Sequence, residues 1–219
     1  MPILYAIYRS RASRNVWLAL EAGIALEMRP VVQAYRLDDP LAADAPMNTL
    51  TPAFLAMSPA GAIPVLEDDG LILSESLAIN LHLARRHGGD LGPRDGAEDA
   101  AMQQWAFYVA TAIEPDAVAV MYGHMEQRQD SAEGQTALAR HHDNLQRPLR
   151  VLDAHLAAHG HVVGGRFTVA DINTAEIVRY AANEPGLVTA FPALQSWYAA
   201  CQARPAFQRM WALRLAEPA

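Results

Sequence analysis

Residues 58–88 read SPAGAIPVLEDDGLILSESLAINLHLARRHG, and their order of signals decides the fold. A helix end is followed by a strand, a tight turn, a second strand and a helix. Ile63-Pro64 opens the first strand, where proline removes a ladder donor and needs a special reason. Asp69-Gly70 separates the apolar runs Val65-Leu66 and Leu71-Ile72-Leu73, a strong hairpin signal. Ser74, Glu75 and Ser76 then place hydroxyls and a carboxylate at a helix start, where unpaired N–H groups and the helix dipole attract an anion. A strand proline beside such an anion pocket points to a site for a small zwitterionic peptide.

Further stretches agree, working outward. Residues 3–24, ILYAIYRSRASRNVWLALEAGI, run strand, Ser-rich turn, amphipathic helix. Residues 165–178, GRFTVADINTAEIV, hold a Thr-x-x-Asp helix start, and SWYAACQARPAF (196–207) reads as a late helix. Taken in order, these stretches resemble the glutathione transferases across nearly the whole chain. The resemblance implies an α/β thioredoxin-like N-terminal domain followed by an all-α C-terminal domain. The expected boundaries are 1–87 for the first, 88–95 for a linker (GGDLGPRD) and 96–219 for the second, which would hold an electrophile pocket.

Composition bounds the reading. With 219 residues, 52% of them hydrophobic, the chain has ample core for one large or two small domains. No apolar run approaches the roughly 20 residues that span a bilayer. In MPILYAIYRSR the charge follows the apolar run, the wrong order for a signal peptide. A single cysteine, Cys201, makes no internal disulfide, which suits a reducing cytoplasm. The net charge of -7 argues against a nucleic-acid surface. All 17 basic residues are arginine, which excludes a lysine Schiff base and a P-loop.

The periodicity predicts strands at 2–7 and near 29–34, with a helix over 13–23 between them. After a polar connection at 37–50, Thr51-Pro52 marks the start of a short helix carrying Phe54 and Leu55. The hairpin and a helix over 75–87 complete a βαβαββα order, the thioredoxin-like arrangement of a four-stranded mixed sheet between helices. Beyond the linker every segment reads as helix, near 96–126, 134–159, 169–182, 192–203 and from 205.

Three hydroxyls compete to activate a thiol. In serine-type members of the family a serine stands four residues before an arginine early in the first helix, and Ser10 with Arg14 has that spacing. Tyr8 is the main alternative, and Ser13 is read as the N-cap of the first helix. Tyr5 lies within the strand and is expected to pack. Ile63-Pro64 resembles the cis-proline turn of the family, which aims the Ile63 backbone at the cysteinyl part of glutathione. Glu75 suits the γ-glutamyl ammonium, while Ser76 and the helix N–H groups suit its carboxylate. Ala62 stands where many relatives carry a long polar side chain for the glycine carboxylate, so that contact is lost or comes from 37–52.

Other residues have plainer readings. Thr168 and Asp171 form a capping box that serves folding. His155, His159 and His161 are expected to be solvated at a helix end, with no metal site. His141 and His142 read as a surface pair, and Glu67, Asp68 and Asp69 as a hairpin turn. Cys201 is expected to be buried, and no cysteine lies near the first strand–helix turn. Trp105, Tyr108 and Tyr122 could wall a pocket, although aromatics at this spacing usually form core. The resemblance implies a cytoplasmic, bacterial, theta-like enzyme acting as a homodimer on a small hydrophobic electrophile. Glutathione would be a co-substrate, no cofactor is expected, and neither nucleic acid nor membrane is a partner. Two alternatives are a non-catalytic relative that only binds or regulates, and a specialised glutathione-dependent isomerase, dehalogenase or ether-cleaving enzyme.

Overall fold

A computed structural model describes residues 1–218 and divides the chain into two compact units. One comprises Met1–Gly89 together with the segment beginning at Pro205, and the other is Asp90–Arg204.

The first unit is built on a four-stranded mixed sheet. Strands β1 (Ile3–Tyr5), β2 (Glu27–Arg29), β3 (Val65–Asp68) and β4 (Leu71–Ser74) lie in the order β2-β1-β3-β4, with β1 parallel to β2 and antiparallel to β3. The Asp69-Gly70 turn has positive φ at both residues, 54° and 82°, the primed geometry that matches strand twist. Strand alternation sets the two faces. Tyr5 and Val65 face Val31 and Phe54, the latter carried by helix α2 (Pro52–Met57). Leu4 and Leu66 belong to the opposite parity and are fully buried. Helices α1 (Ser13–Ala22) and α3 (Ser76–His87) pack on each other and bury Trp17, Leu18, Ile79 and Leu83 completely. Each such side chain contributes about 1.5–3 kcal/mol through burial.

Two expectations need correction here. The second strand lies at Glu27–Arg29 rather than near 29–34, because Val32 pairs with Asn48 instead of with β1. Val31 N–H still donates to Ala6 O (3.3 Å) while its side chain joins the core, and Val32 forms an isolated bridge with Asn48. The last helix, α9 (Pro205–Ala216), groups with the first unit rather than with the expected 96–219 domain. Its Phe207 meets Trp17 of α1 edge-on at 4.9 Å and stacks on Trp211 at 6.0 Å. The apolar face of α9 therefore has its complement on α1.

The second unit contains α4 (Gly96–Ala112), α5 (Glu114–Met125), α6 (Ala132–His159), α7 (Val169–Ala181) and α8 (Pro192–Gln202). The single helix expected over 96–126 breaks at Ile113, where Pro115 begins a new turn without an N–H to donate backward. Asp95 caps α4 through Glu98 N–H (2.8 Å) and Ser131 caps α6 through Gly134 N–H (3.1 Å). Every residue of α7 is buried except Arg179, as expected of a helix at the centre of its unit. Its fully buried Glu176 is paired with Arg179 at 3.0 Å.

Candidate functional site

Strand register brings three segments to one end of the sheet. Tyr5 is opposite Val65, and Val65 is opposite Ser74. The loop after β1, the residues before β3 and the start of α3 therefore leave the sheet together. They carry Ser10, Ile63-Pro64 and Glu75-Ser76, the residues singled out from the sequence.

The Ile63-Pro64 bond is cis, and Pro64 is buried beneath a half-buried Ile63. Glu75 is exposed and adopts φ 69°, a left-handed conformation rare for a non-glycine residue. Such strain persists where surroundings over-determine it and is frequent at ligand sites. Its carbonyl accepts the first intrahelical bond of α3 from Ile79 N–H (2.9 Å), and Ser76 is buried at that helix start. An exposed carboxylate thus stands beside a helix N-terminus, which suits an ammonium and a carboxylate on adjacent groups of one ligand.

The β1–α1 loop departs from expectation. Ser13 is not the N-cap. Ala12 occupies that position in helical conformation, and Ser13 is the fully buried first residue of α1. Ser10 takes the local bonding instead, accepting from Ala12 N–H (3.1 Å) and donating its hydroxyl to Ile7 O at 2.6 Å. That proton must leave Ile7 O before it can serve a sulfur atom. Tyr8 is half-buried in the same loop. Tyr5 is packed as expected, donating to Glu67 Oε2 (2.9 Å), and burial followed by this bond pushes its hydroxyl pKa up.

Sequence reasoning missed two residues that fix this corner. Asn15, fully buried on α1, donates through Nδ2 to Ser76 O (2.8 Å) and Asn80 Oδ1 (2.7 Å). Asn80 on α3, also fully buried, donates back to Arg14 O (3.1 Å). The helix that follows the β1–α1 loop is thereby tied to the helix start carrying Ser76. Two asparagines on otherwise apolar helix faces were the available signal.

Around 37–52 the polar groups serve the chain itself. Asn48 Nδ2 donates to Pro40 O and Pro46 O, and Thr49 Oγ1 accepts from Ala34 N–H. Ala62 is exposed, and Ser58 donates to its carbonyl.

In the second unit the capping box is complete, with Thr168 Oγ1 accepting from Ala170 N–H and Asp171 Oδ2 accepting from Thr168 N–H (2.9 Å). Asp171 Oδ1 also accepts from Trp197 Nε1 (2.8 Å) and Val162 N–H (3.2 Å). Trp105 is core, whereas Tyr108 is half-buried; the two meet edge-on, and Tyr108 donates to Pro148 O. Tyr122 differs, being half exposed beside Gly123, Arg128 and His141 around a surface cavity of about 230 Å³. Cys201 is buried.

Of the three histidines His159 is exposed as expected, whereas His155 and His161 are partly buried and engaged. His155 Nε2 bonds to Val162 O (2.9 Å), and His161 lies 3.3 Å from Asp171 Oδ1, which raises its pKa. His141 pairs with Asp116 at 2.6 Å. No metal-ligand group occurs among the described residues.

Comparison with known proteins bears on this geometry. Residues 4–91 match the model of the glutathione S-transferase N-terminal domain, and residues 105–205 that of the C-terminal domain. Glutathione S-transferase 3 of Zea mays is 33% identical over 165 residues, spanning 72% of this chain and 74% of that protein. Elongation factor 1-gamma of Sus scrofa is 31% identical over 167 residues, 72% of this chain and 36% of that longer protein. A theta class glutathione S-transferase from Xanthomonas axonopodis pv. citri, solved with glutathione bound, superposes with a TM-score of 0.76 at 28% identity, covering 95% of each chain. With its sheet, its cis-proline corner and these relatives considered together, the chain belongs to the glutathione S-transferase family.

Proposed function

We propose that the first unit binds glutathione at the cis-proline corner and presents its thiolate to a small hydrophobic electrophile. The observation that carries this reading is the convergence of Ile63-Pro64, Glu75-Ser76 and the Ser10 loop at one sheet end. Glu75 takes the γ-glutamyl ammonium, Ser76 and the α3 N–H groups take its carboxylate, and the Ile63 backbone pairs with the cysteinyl residue. Ser10 donates to the sulfur after releasing Ile7 O, with Tyr8 and Ser13 as the alternative donors. A free thiol of pKa about 8.5 is only a few per cent ionised at neutral pH, and lowering it by about two units corresponds to roughly 2.7 kcal/mol. The thiol proton passes to solvent, the sulfur forms a bond to carbon, and the leaving group departs with its electron pair. Proximity of two bound reactants supplies the rest of the gain.

No cofactor takes part in this scheme, in which glutathione is the co-substrate. The reading extends to a cytoplasmic, bacterial, theta-like homodimer. A second reading is a chain that binds glutathione without turning it over, or a specialised relative. It is favoured by the engagement of the Ser10 hydroxyl with Ile7 O and by likeness to an elongation factor. Calorimetric titration of glutathione into wild type, Glu75→Ala and Ser76→Ala, with a panel of aryl halides, epoxides and peroxides, separates the cases. Each variant should weaken binding by about 1.5–3 kcal/mol, the range for hydrogen bonds to charged groups. Unchanged affinity in both folded variants refutes the γ-glutamyl assignment, and saturable binding with no turnover favours the second reading.

A further inference from the structure

The loop that holds Tyr8 and Ser10 is gripped from the far end of the chain. The Glu217 carboxylate accepts Tyr8 N–H through Oε1 (3.0 Å) and Arg9 N–H through Oε2 (2.6 Å). Two successive backbone N–H groups on one anion form a nest, and hydrogen bonds to a carboxylate are shorter and stronger than neutral ones. Arg214 completes the grip by donating through Nη1 to Tyr8 O (2.8 Å) and Ser10 O (3.3 Å). Arg9 Nη1 returns a bond to Glu217 O (3.3 Å). Four backbone groups of three consecutive residues are thus held by two side chains more than 200 positions away. Phe207, docked on Trp17 of α1 and stacked on Trp211, anchors the segment from which both reach, and the Arg214 guanidinium lies 5.6 Å from the Trp211 ring centre.

We infer that Arg214 and Glu217 are positioning residues for thiol activation, clamping the Tyr8–Ser10 backbone so that the donor hydroxyl faces the bound sulfur. The inference rests on the reading that this loop activates glutathione. Ser10 O also accepts from Ser13 N–H (3.3 Å), so the clamp extends into the first turn of α1. Without it, Tyr8 N–H and Arg9 N–H lose their shared acceptor and the loop gains freedom to aim its hydroxyls elsewhere. The γ-glutamyl contacts at Glu75 and Ser76 lie on a different element and do not depend on the clamp.

The test compares full-length wild type, Glu217→Ala, Glu217→Gln and Arg214→Gln in three measurements: glutathione affinity by calorimetry, thiolate absorbance of the bound complex against pH, and the pH profile of kcat. In Glu217→Ala and Arg214→Gln, affinity should stay within about twofold while the bound-thiol pKa rises by about one unit, lowering thiolate and kcat about tenfold below both pKa values and recovering at high pH. Glu217→Gln, which keeps one acceptor oxygen, should fall between. Amide exchange at Tyr8 and Arg9 should quicken in Glu217→Ala while the interior of α1 stays protected. Folded variants with the wild-type thiol pKa and kcat profile overturn the inference alone. A wild-type protein that neither binds glutathione nor depresses its thiol pKa overturns the parent reading, and the inference with it.

Discussion

Replacing Asn15 by alanine should damage both stability and glutathione binding, and the structure sets the size. Asn15 Nδ2 makes two buried bonds, to Ser76 O and Asn80 Oδ1, whereas its Oδ1 makes none. The substitution therefore removes two buried donor bonds and leaves a cavity where the amide stood. At about 1 kcal/mol for each bond and a further penalty for the cavity, the loss is about 2–4 kcal/mol. For a chain of this size that lowers Tm by about 5–15 °C. Because the α3 start is no longer tied to α1, glutathione affinity should fall too, although Asn15 is not assigned to the ligand. Asn80→Ala should lose a similar amount, and the double variant less than the sum, because the two share one bond. Thermal and urea melts with calorimetric titration measure all three variants. Stability of Asn15→Ala within about 0.5 kcal/mol of wild type, or strict additivity with Asn80→Ala, refutes the reasoning.

Three further outcomes are expected. The Glu98 carboxyl is held down to about 2, first by its bidentate pairing with Arg166 and then by Arg94 N–H. Its contribution is complete above the ordinary value of 4.5 and is lost as pH falls toward 2, so Glu98→Gln should flatten the acid limb of a stability–pH curve between those values; an unchanged limb contradicts it. Thr168→Ala should lose about 1–2 kcal/mol in denaturant melts without changing kcat, and abolished turnover at unchanged stability would make Thr168 functional. Because the His161 pKa is raised by Asp171, the stability that pair adds should be full below the ordinary value of 6.5 and lost as pH climbs through the raised one; His161→Ala should remove that slope.

What could be read from the sequence was local chemistry. Asp69-Gly70, Ile63-Pro64 and the Thr168–Asp171 box each carry their conformation in a few adjacent residues, and each is found as expected. Pro115 was visible too, but apolar periodicity continues across it and hides the break. Ser13 has the residue type of an N-cap, yet Ser10 bonds to Ala12 N–H and leaves Ala12 in the capping position. The Asn15–Asn80 tie and the Arg214–Glu217 grip join residues 65 and more than 200 positions apart. No short motif encodes such contacts, because they exist only once α3 and α9 have docked on α1.

The proposed function requires the β1–α1 loop to lower the thiol pKa of glutathione bound at the cis-proline corner. Titrating the thiolate absorbance of the bound complex in wild type, Ser10→Ala, Tyr8→Phe and Ser13→Ala tests it most directly. Wild type should titrate well below the free value of about 8.5, and Ser10→Ala should move toward that value with affinity nearly intact. A shift in Tyr8→Phe with none in Ser10→Ala transfers the role to the tyrosine. A wild-type complex that titrates like free glutathione, with none of the three variants moving it, contradicts the account.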